Sequence, residues 1–300
     1  MTTMKRKLRS DRVFEIINFI FLFFILIIVL YPLVYVISAS ISDPVYVNQG
    51  TMWLYPRGIT FEGYQRVFQN PEIWSGYRNT ILYTVAGTAI NLLFTVPGAY
   101  ALSRKDLKGR GIMMGLIVFT MFFGGGLIPS FLLVSWLGML NTVWALLIPN
   151  AVAVYNLIIC RTFFQTNIPK ELQESAEIDG CSNTVLFLKI VLPLSAPIIA
   201  VLALYYGVTH WNSYFSAIIY LKDRSLYPLQ LILREILVQN QMNDTMLMTG
   251  DDMEAMAKQA RIADIIKYAV MIVSSLPIIV IYPFMQRFFM KGVLIGSVKG

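Results

Sequence analysis

The chain has 300 residues, of which 57% are hydrophobic and only 14% charged, with a net charge of +7. Soluble domains carry roughly 25% charge and about 45–50% apolar residues, so a cytosolic enzyme, a secreted domain and a disordered chain are excluded. Two cysteines and one histidine leave neither a disulfide framework nor a histidine-based zinc site. The excess of Lys and Arg fits the cytoplasmic loops of a membrane protein better than it fits nucleic acid.

A helix crossing the bilayer core takes about 20 apolar residues. Ile16 to Ser42 is the first window without charge. Its basic start (Lys5, Arg6, Lys7, Arg9, Arg12) resembles a signal peptide. The apolar stretch exceeds the roughly 7–15 residues of a signal core, which predicts a retained helix. Asn79 to Ser103 is the second window. Gly111 to Cys160 is charge-free throughout, too long for one helix and enough for two. Gly124-Gly125-Gly126 and Pro129 break it, so spans are expected near 111–131 and near 142–164. Ile190 to Leu221 is the fifth window, and Tyr268 to Gln286 closes the set. The expected fold is an all-α membrane protein with six transmembrane helices. A basic amino terminus (1–15) precedes a transmembrane domain over 16–290, and a tail follows over 291–300.

Charge sets the orientation. The amino terminus and the loop 104–110, with Arg104, Lys105, Lys108 and Arg110 against Asp106, carry the basic excess. Alternating spans put both on one side, with the loop 161–189 and the tail, and that side is cytoplasmic. The long loops 43–78 and 222–261 are then external. No internal duplication is visible, and no span carries a central Asp, Glu, Lys or Arg. Ion-coupled carriers commonly keep such groups in mid-membrane. Their absence suits a neutral or hydroxyl-rich solute, or a pathway driven from elsewhere.

Loop 161–189 is the one cytoplasmic loop in which acids outnumber bases. Asn167 and Pro169 suit a helix start, Glu171 the first turn and Gly180 the stop. A short amphipathic helix over roughly 169–179 is expected, with Leu172, Ser175, Ala176 and Asp179 on one face. Small Ser175 and Ala176 let another surface approach. Two readings stand open: a solvated connector, or a docking helix for a cytoplasmic partner.

Glu174-Ser175-Ala176, three residues, Gly180, nine residues, and Ile190-Val191-Leu192-Pro193 resemble the EAA loop of ABC-importer permeases. That pattern is E-A-A, three residues, G, nine residues, I-x-L-P. Ser175 stands for the first alanine, a small-for-small change. The flanks, Ile168-Pro169-Lys170-Glu171-Leu172 and Pro193-Leu194-Ser195-Ala196-Pro197, are similar to the carbohydrate-uptake branch, as is the tail Gln286-Arg287-Phe288-Phe289 with Lys291-Gly292. The likeness runs from the first span to the end and is MalG-like. The segment Gly124 to Pro129 resembles the LplC/YtcP type of oligosaccharide permease.

The resemblance implies a type I ABC importer permease fold with an EAA loop over 165–193. It also implies a second homologous permease, two ATPase subunits, an extracytoplasmic binding protein, a carbohydrate substrate and a bacterial cell membrane with both termini cytoplasmic. It makes Glu174, Ser175, Ala176 and Gly180 the ATPase-coupling site, with Glu171 and Asp179 at its rim. The chain has no G-x-x-x-x-G-K-[ST] loop. ATP and Mg are therefore expected on the partner ATPase, with no cofactor, metal or catalytic group here, and no nucleic acid as partner. In such permeases the loop around 239–258 reaches the binding protein, which points to Asp244, Asp251, Asp252 and Glu254.

The substrate path is less legible. Thr80, Thr84, Gly87, Asn91 and Thr95 form one small and polar stripe along the second span. It reads either as helix packing or as a face on the path. Tyr205, Trp211, Asn212 and Tyr214 suit sugar rings, or an interfacial aromatic belt. Tyr155 and Asn156 are weaker candidates, and His210 reads as a satisfied interfacial histidine. The competing function is a stand-alone secondary carrier for a small polar solute. ATP dependence of uptake in vesicles separates the two.

Overall fold

The computed structural model describes residues 9–247 and 266–283, with side chains over 13–238 and 266–283. The described residues are helical or irregular, without a strand. The chain divides into two compact units, one of residues 1–70 with 236–275, the other of 71–235 with 276–300.

In the first unit, α1 (Arg9–Ser40) is a single helix of 32 residues. Its most apolar stretch is not buried within the chain, and burial begins only at Ser38, Ala39 and Ser40 in its last turn. Its apolar surface runs all round, which is the pattern of a membrane span. The short α2 (Pro44–Asn48) starts at Asp43, whose carboxylate accepts from the Val45 amide at 3.0 Å. Helix α3 (Glu62–Gln69) carries an Arg66–Glu62 pair at 2.7 Å.

The second unit is organised on α4 (Pro71–Ser103), 33 residues long. It starts earlier than Asn79 because Pro71 and Glu72 make a favourable first turn. Helix α5 (Arg110–Phe122) stops before the glycines, and α6 (Leu127–Trp136) leaves at 114° to it. A straight span over 111–131 is therefore not what forms. The expected span over 142–164 is also interrupted: α7 (Trp144–Leu147) and α8 (Val154–Asn167) flank an irregular segment. Alone, the 14 residues of α8 rise about 21 Å, short of the ~30 Å hydrocarbon core. Pro149 has no N–H to continue a helix through the gap.

Helix α9 (Lys170–Ile178) follows at once. Then α10 (Asn183–Leu186), a π-helical stretch (Phe187–Val191) and α11 (Leu192–Leu194) run on as one rod. Helix α12 (Ala196–Trp211) leaves that rod at 78°, and α13 (Phe215–Tyr220) is separate. The window Ile190–Leu221 is thus bent at Ser195 rather than straight. Pro197 cannot donate to the carbonyl four residues back, and the Ser195 hydroxyl bonds Val191 O at 2.7 Å. Helix α14 (Leu229–Leu247) extends into the stretch expected to be loop from Gln239, and α15 covers Ile266–Pro283.

Among the described residues three helices are long and apolar enough to cross a membrane, or up to five if each of the two bent pairs is one span. The core of the second unit sits where α4, α8 and α12 meet, around Val96, Ala99, Leu157, Cys160, Leu202 and Tyr206.

Candidate functional site

Helix α9 occupies Lys170–Ile178, within a residue of the expected bounds. Pro169 starts it in an extended conformation, and Glu171 lies in its first turn. Its end is a complete Schellman motif. The Cys181 amide bonds Ala176 O at 2.8 Å and the Gly180 amide bonds Glu177 O at 3.1 Å. Gly180 has φ +71° with open space where a Cβ would stand. The left-handed conformation, not crowding, is what requires glycine there.

The faces of α9 differ from expectation at one residue. Ala176 is turned inward and buried with Tyr100, Phe164 and Leu186. Its small size fits the helix onto its own chain rather than opening a face to another. The outward face carries Glu171, Glu174, Ser175 and Asp179, together with Ile178, which is 87% exposed. Leu172 is half-buried.

Arg104 fastens this helix to the end of α4. Its guanidinium donates to both Asp106 oxygens at 2.8 Å, to Glu177 at 3.2 Å and to the Asn183 amide oxygen at 2.9 Å. Its side chain is 9% exposed. Bonding to the Asp106 carboxylate raises the guanidinium pKa, and Arg104 in turn holds the Asp106 carboxyl below the usual carboxylate range. One side chain therefore ties α4, the loop after it, α9 and α10. Beside it lies a groove of about 580 Å³ lined by Lys105, Lys170, Gln173, Glu174 and Glu177 as well as Arg104. Proximity to Lys170 lowers the Lys105 pKa.

The polar stripe of α4 divides along its length. Thr80 accepts from the Leu229 amide at 2.8 Å, and Thr95 pairs with Tyr206 at 2.7 Å, both buried. Gly87 is packed so closely on His210 that a Cβ would fall inside the imidazole. Asn91, 1% exposed, donates to Asn150 O at 3.0 Å and to Ala151 O at 2.9 Å. Those two carbonyls fix the amide's orientation. Its oxygen then faces His210 Nε2 at 2.7 Å, so Nε2 carries the proton. Tyr206 Oη accepts from the Ala153 amide at 3.2 Å and shares a hydrogen bond with the Thr95 hydroxyl. Asn91 thus holds the gap between α7 and α8 and faces no open space in this conformation.

Thr84 alone of the stripe lines an apolar groove of about 430 Å³, with Thr88, Gly207 and Trp211. The hydroxyls of Thr84 and Thr88 are buried without a hydrogen-bond partner. Trp211 is buried, with its ring 6.3 Å from Tyr77. The other aromatic and amide candidates do not line this groove. Tyr155 and Tyr205 are exposed. Asn156 is buried, and Asn212 bonds Val208 O of its own helix at 2.9 Å. Tyr214 stacks under Arg234 at 5.6 Å. Asp244 lies on α14 with its side chain undescribed, and Asp251, Asp252 and Glu254 lie outside the described residues. Sequence reasoning missed Thr88, Gly207 and Arg104. Thr84 and Thr88 are four apart, a spacing that was there to be read.

The model of the family "binding-protein-dependent transport system inner membrane component" matches residues 73–295. The LplC protein of Bacillus subtilis is 41% identical, over 97% of this chain and 97% of its own. The polygalacturonan/rhamnogalacturonan transport system permease YtcP of the same organism is 42% identical, over 97% of this chain and 100% of its own. A crystal structure of a bacterial ABC transporter involved in importing the acidic polysaccharide alginate superposes with a TM-score of 0.81 at 35% identity. That match covers 94% of this chain and 99% of the other. Such components are the non-enzymatic membrane parts of transport complexes, and this chain, with its several apolar helices and EAA-type spacing, belongs to the family of binding-protein-dependent transport system inner membrane components.

Proposed function

We propose that this chain is one of two transmembrane subunits of an ATP-driven importer for a glycan fragment delivered by an extracytoplasmic binding protein. The relatives support the substrate class: YtcP is named for pectic polymers, and the solved neighbour for alginate. Both termini, the loop 104–110 and α9 are assigned to the cytoplasmic side, as the basic loops favour. A separate ATPase subunit, carrying ATP and Mg, docks on Glu171, Glu174, Ser175 and Asp179. Asp244, Asp251, Asp252 and Glu254 are assigned to the binding protein.

The observation that carries this reading is the Arg104 clip. A displacement of α9 is delivered through Glu177 and Arg104 to the carboxyl end of α4. The same helix, with Pro97 between, carries Thr84 and Thr88 on the apolar groove. Movement at the docking face and movement at the groove are therefore mechanically linked. Approach of two ATPases pulls on α9 and tilts α4, and ATP hydrolysis releases it. The hydroxyls of Thr84 and Thr88, buried and unpartnered in this conformation, become donors and acceptors for a sugar when α4 and α12 move apart.

Gly180→Asp tests the coupling. Uptake into vesicles and binding-protein-stimulated ATP hydrolysis should be lost while the complex stays assembled in the membrane. Gly180→Asn, which tolerates left-handed backbone without adding charge, should retain most transport. Wild-type uptake by Gly180→Asp would sink the assignment of α9.

A further inference from the structure

We infer that residues 51–61 form an interfacial membrane anchor, a strap that seats the outer end of α1 in the lipid headgroup layer. The inference uses the chain's place in the membrane and is independent of what the transporter carries.

The strap runs back along the last turns of α1. The Thr60 amide bonds Ile41 O at 3.0 Å, and the Asp43 amide bonds Arg57 O at 3.0 Å. The Ser38 hydroxyl reaches Leu54 O at 2.6 Å. Trp53 Nε1–H donates to Tyr31 Oη at 3.1 Å, with the two rings 6.5 Å apart. The hydroxyls of α1 and the backbone groups of the strap are thus turned toward each other, with Arg57 and Thr51 left exposed. Ser38, Ser40 and Ser42 are buried beneath the strap, while Trp53, Tyr55, Ile59 and Phe61 are each at least 60% exposed. A water-facing loop has the opposite arrangement.

The span itself gives the depth. Glu15 is the last charged residue before the apolar run. Counting ~20 residues at ~1.5 Å each crosses the ~30 Å hydrocarbon core and brings the far boundary to about Tyr35. The bond from Trp53 to Tyr31 therefore holds the indole at or just inside that boundary. Trp and Tyr favour this level because the ring is apolar and the N–H or O–H is wet. A water-soluble protein docked from outside does not reach that depth, which favours lipid as the occupant. The anchor helps fix how deep α1 sits, because the buried residues of that helix are confined to its last turn, at Ser38, Ala39 and Ser40.

The test is collision accessibility of a spin label in the assembled transporter in nanodiscs. Tyr55→Cys and Ile59→Cys are labelled separately in a Cys181→Ser background, Cys160 being buried. Lys108→Cys, on an exposed loop, serves as the water reference. Oxygen collisions should exceed those of a water-soluble nickel chelate at 55 and 59, and the order should reverse at 108. Nickel accessibility at 55 and 59 equal to that at 108 overturns the anchor. Protection of 55 and 59 from both probes in the assembled transporter would place the second transmembrane subunit there instead and also overturns it. So does protection from both probes when the binding protein is added, which would make the strap a protein-docking surface. If Tyr55→Cys does not assemble, Ile59→Cys gives the same reading.

Discussion

Two of the interruptions in the apolar stretches of the second unit are built in opposite ways. Between α5 and α6 the chain turns on Gly124, Gly125 and Gly126. Gly126 starts α6 without a capping side chain, its carbonyl accepting from the Ser130 hydroxyl of the next turn at 2.8 Å, and a Cβ at Gly124 would meet nothing within 4 Å. Between α7 and α8 the turning segment is held from outside. Asn91 takes the carbonyls of Asn150 and Ala151, and Tyr206 takes the amide of Ala153. Irregular backbone at membrane depth persists only where its polar groups are satisfied within the protein. The first break depends on local residue choice and can adjust locally. The second is a property of three helices at once, and cannot shift unless α4 and α12 shift with it.

Cys160, buried on α8 shortly after the clasped break, reports on that difference. Its alkylation in the purified complex, read by mass spectrometry of the labelled peptide, measures how often α8 opens. Asn91→Leu should have the largest effect. It leaves the Asn150 and Ala151 carbonyls and the His210 N–H without their partner, each worth ~1–3 kcal/mol where water does not replace the amide. A net loss of ~3 kcal/mol raises alkylation ~100-fold. An unchanged rate would mean that the clasp contributes nothing and that the two breaks are alike.

Tyr206→Phe removes one hydroxyl from the same clasp. The Ala153 amide and the Thr95 hydroxyl lose their partner, at ~1–3 kcal/mol, or roughly tenfold in Cys160 alkylation. Since Asn91 and Tyr206 hold the same segment, the double variant should fall short of the sum. Strict additivity would show two independent bonds instead of one clasp.

Gly126→Ala attacks the other break. Gly126 has φ +84° and ψ 170°, a region essentially confined to glycine, so alanine costs ~1–3 kcal/mol. The loss should appear in thermal unfolding of the complex and leave Cys160 alkylation unchanged. A matching rise in alkylation would mean that the bend between α5 and α6 supports α8.

The two breaks also differ in how far the sequence exposes them. The glycine run marks the first directly, because its cause lies in the turning residues. Helix α9 is legible for the same reason: Pro169, Glu171 and Gly180 set both of its ends. The clasped break is not, since Asn91 lies 59 residues from Asn150 and only the fold brings them together. Pro149 and Pro197 were readable as breakers, yet a search for charge-free windows passes over both. The stripe on α4 has the right period, but period cannot separate Thr84, on a groove, from Thr80 and Thr95, in the core. That separation depends on which helices pack where.

Gly124→Ala should have the smallest effect, and it sharpens the contrast most. Gly124 is not among the glycines with positive φ, so alanine fits its backbone. No atom lies within 4 Å of the new methyl group, so alanine fits its surroundings. Alanine also favours helix over glycine by ~1 kcal/mol, but Phe123, just before it, has already left the helix at φ −115° and ψ 89°. Stability should therefore stay within ~0.5 kcal/mol of the parent, and the α5–α6 bend should persist because Gly126 alone requires glycine. The bend can be followed as a distance between spin labels at Ile112 and Leu132, both exposed. A lengthening in Gly124→Ala would show that the whole glycine run acts as the hinge; an unchanged distance there, with a change in Gly126→Ala, locates the turn at a single residue.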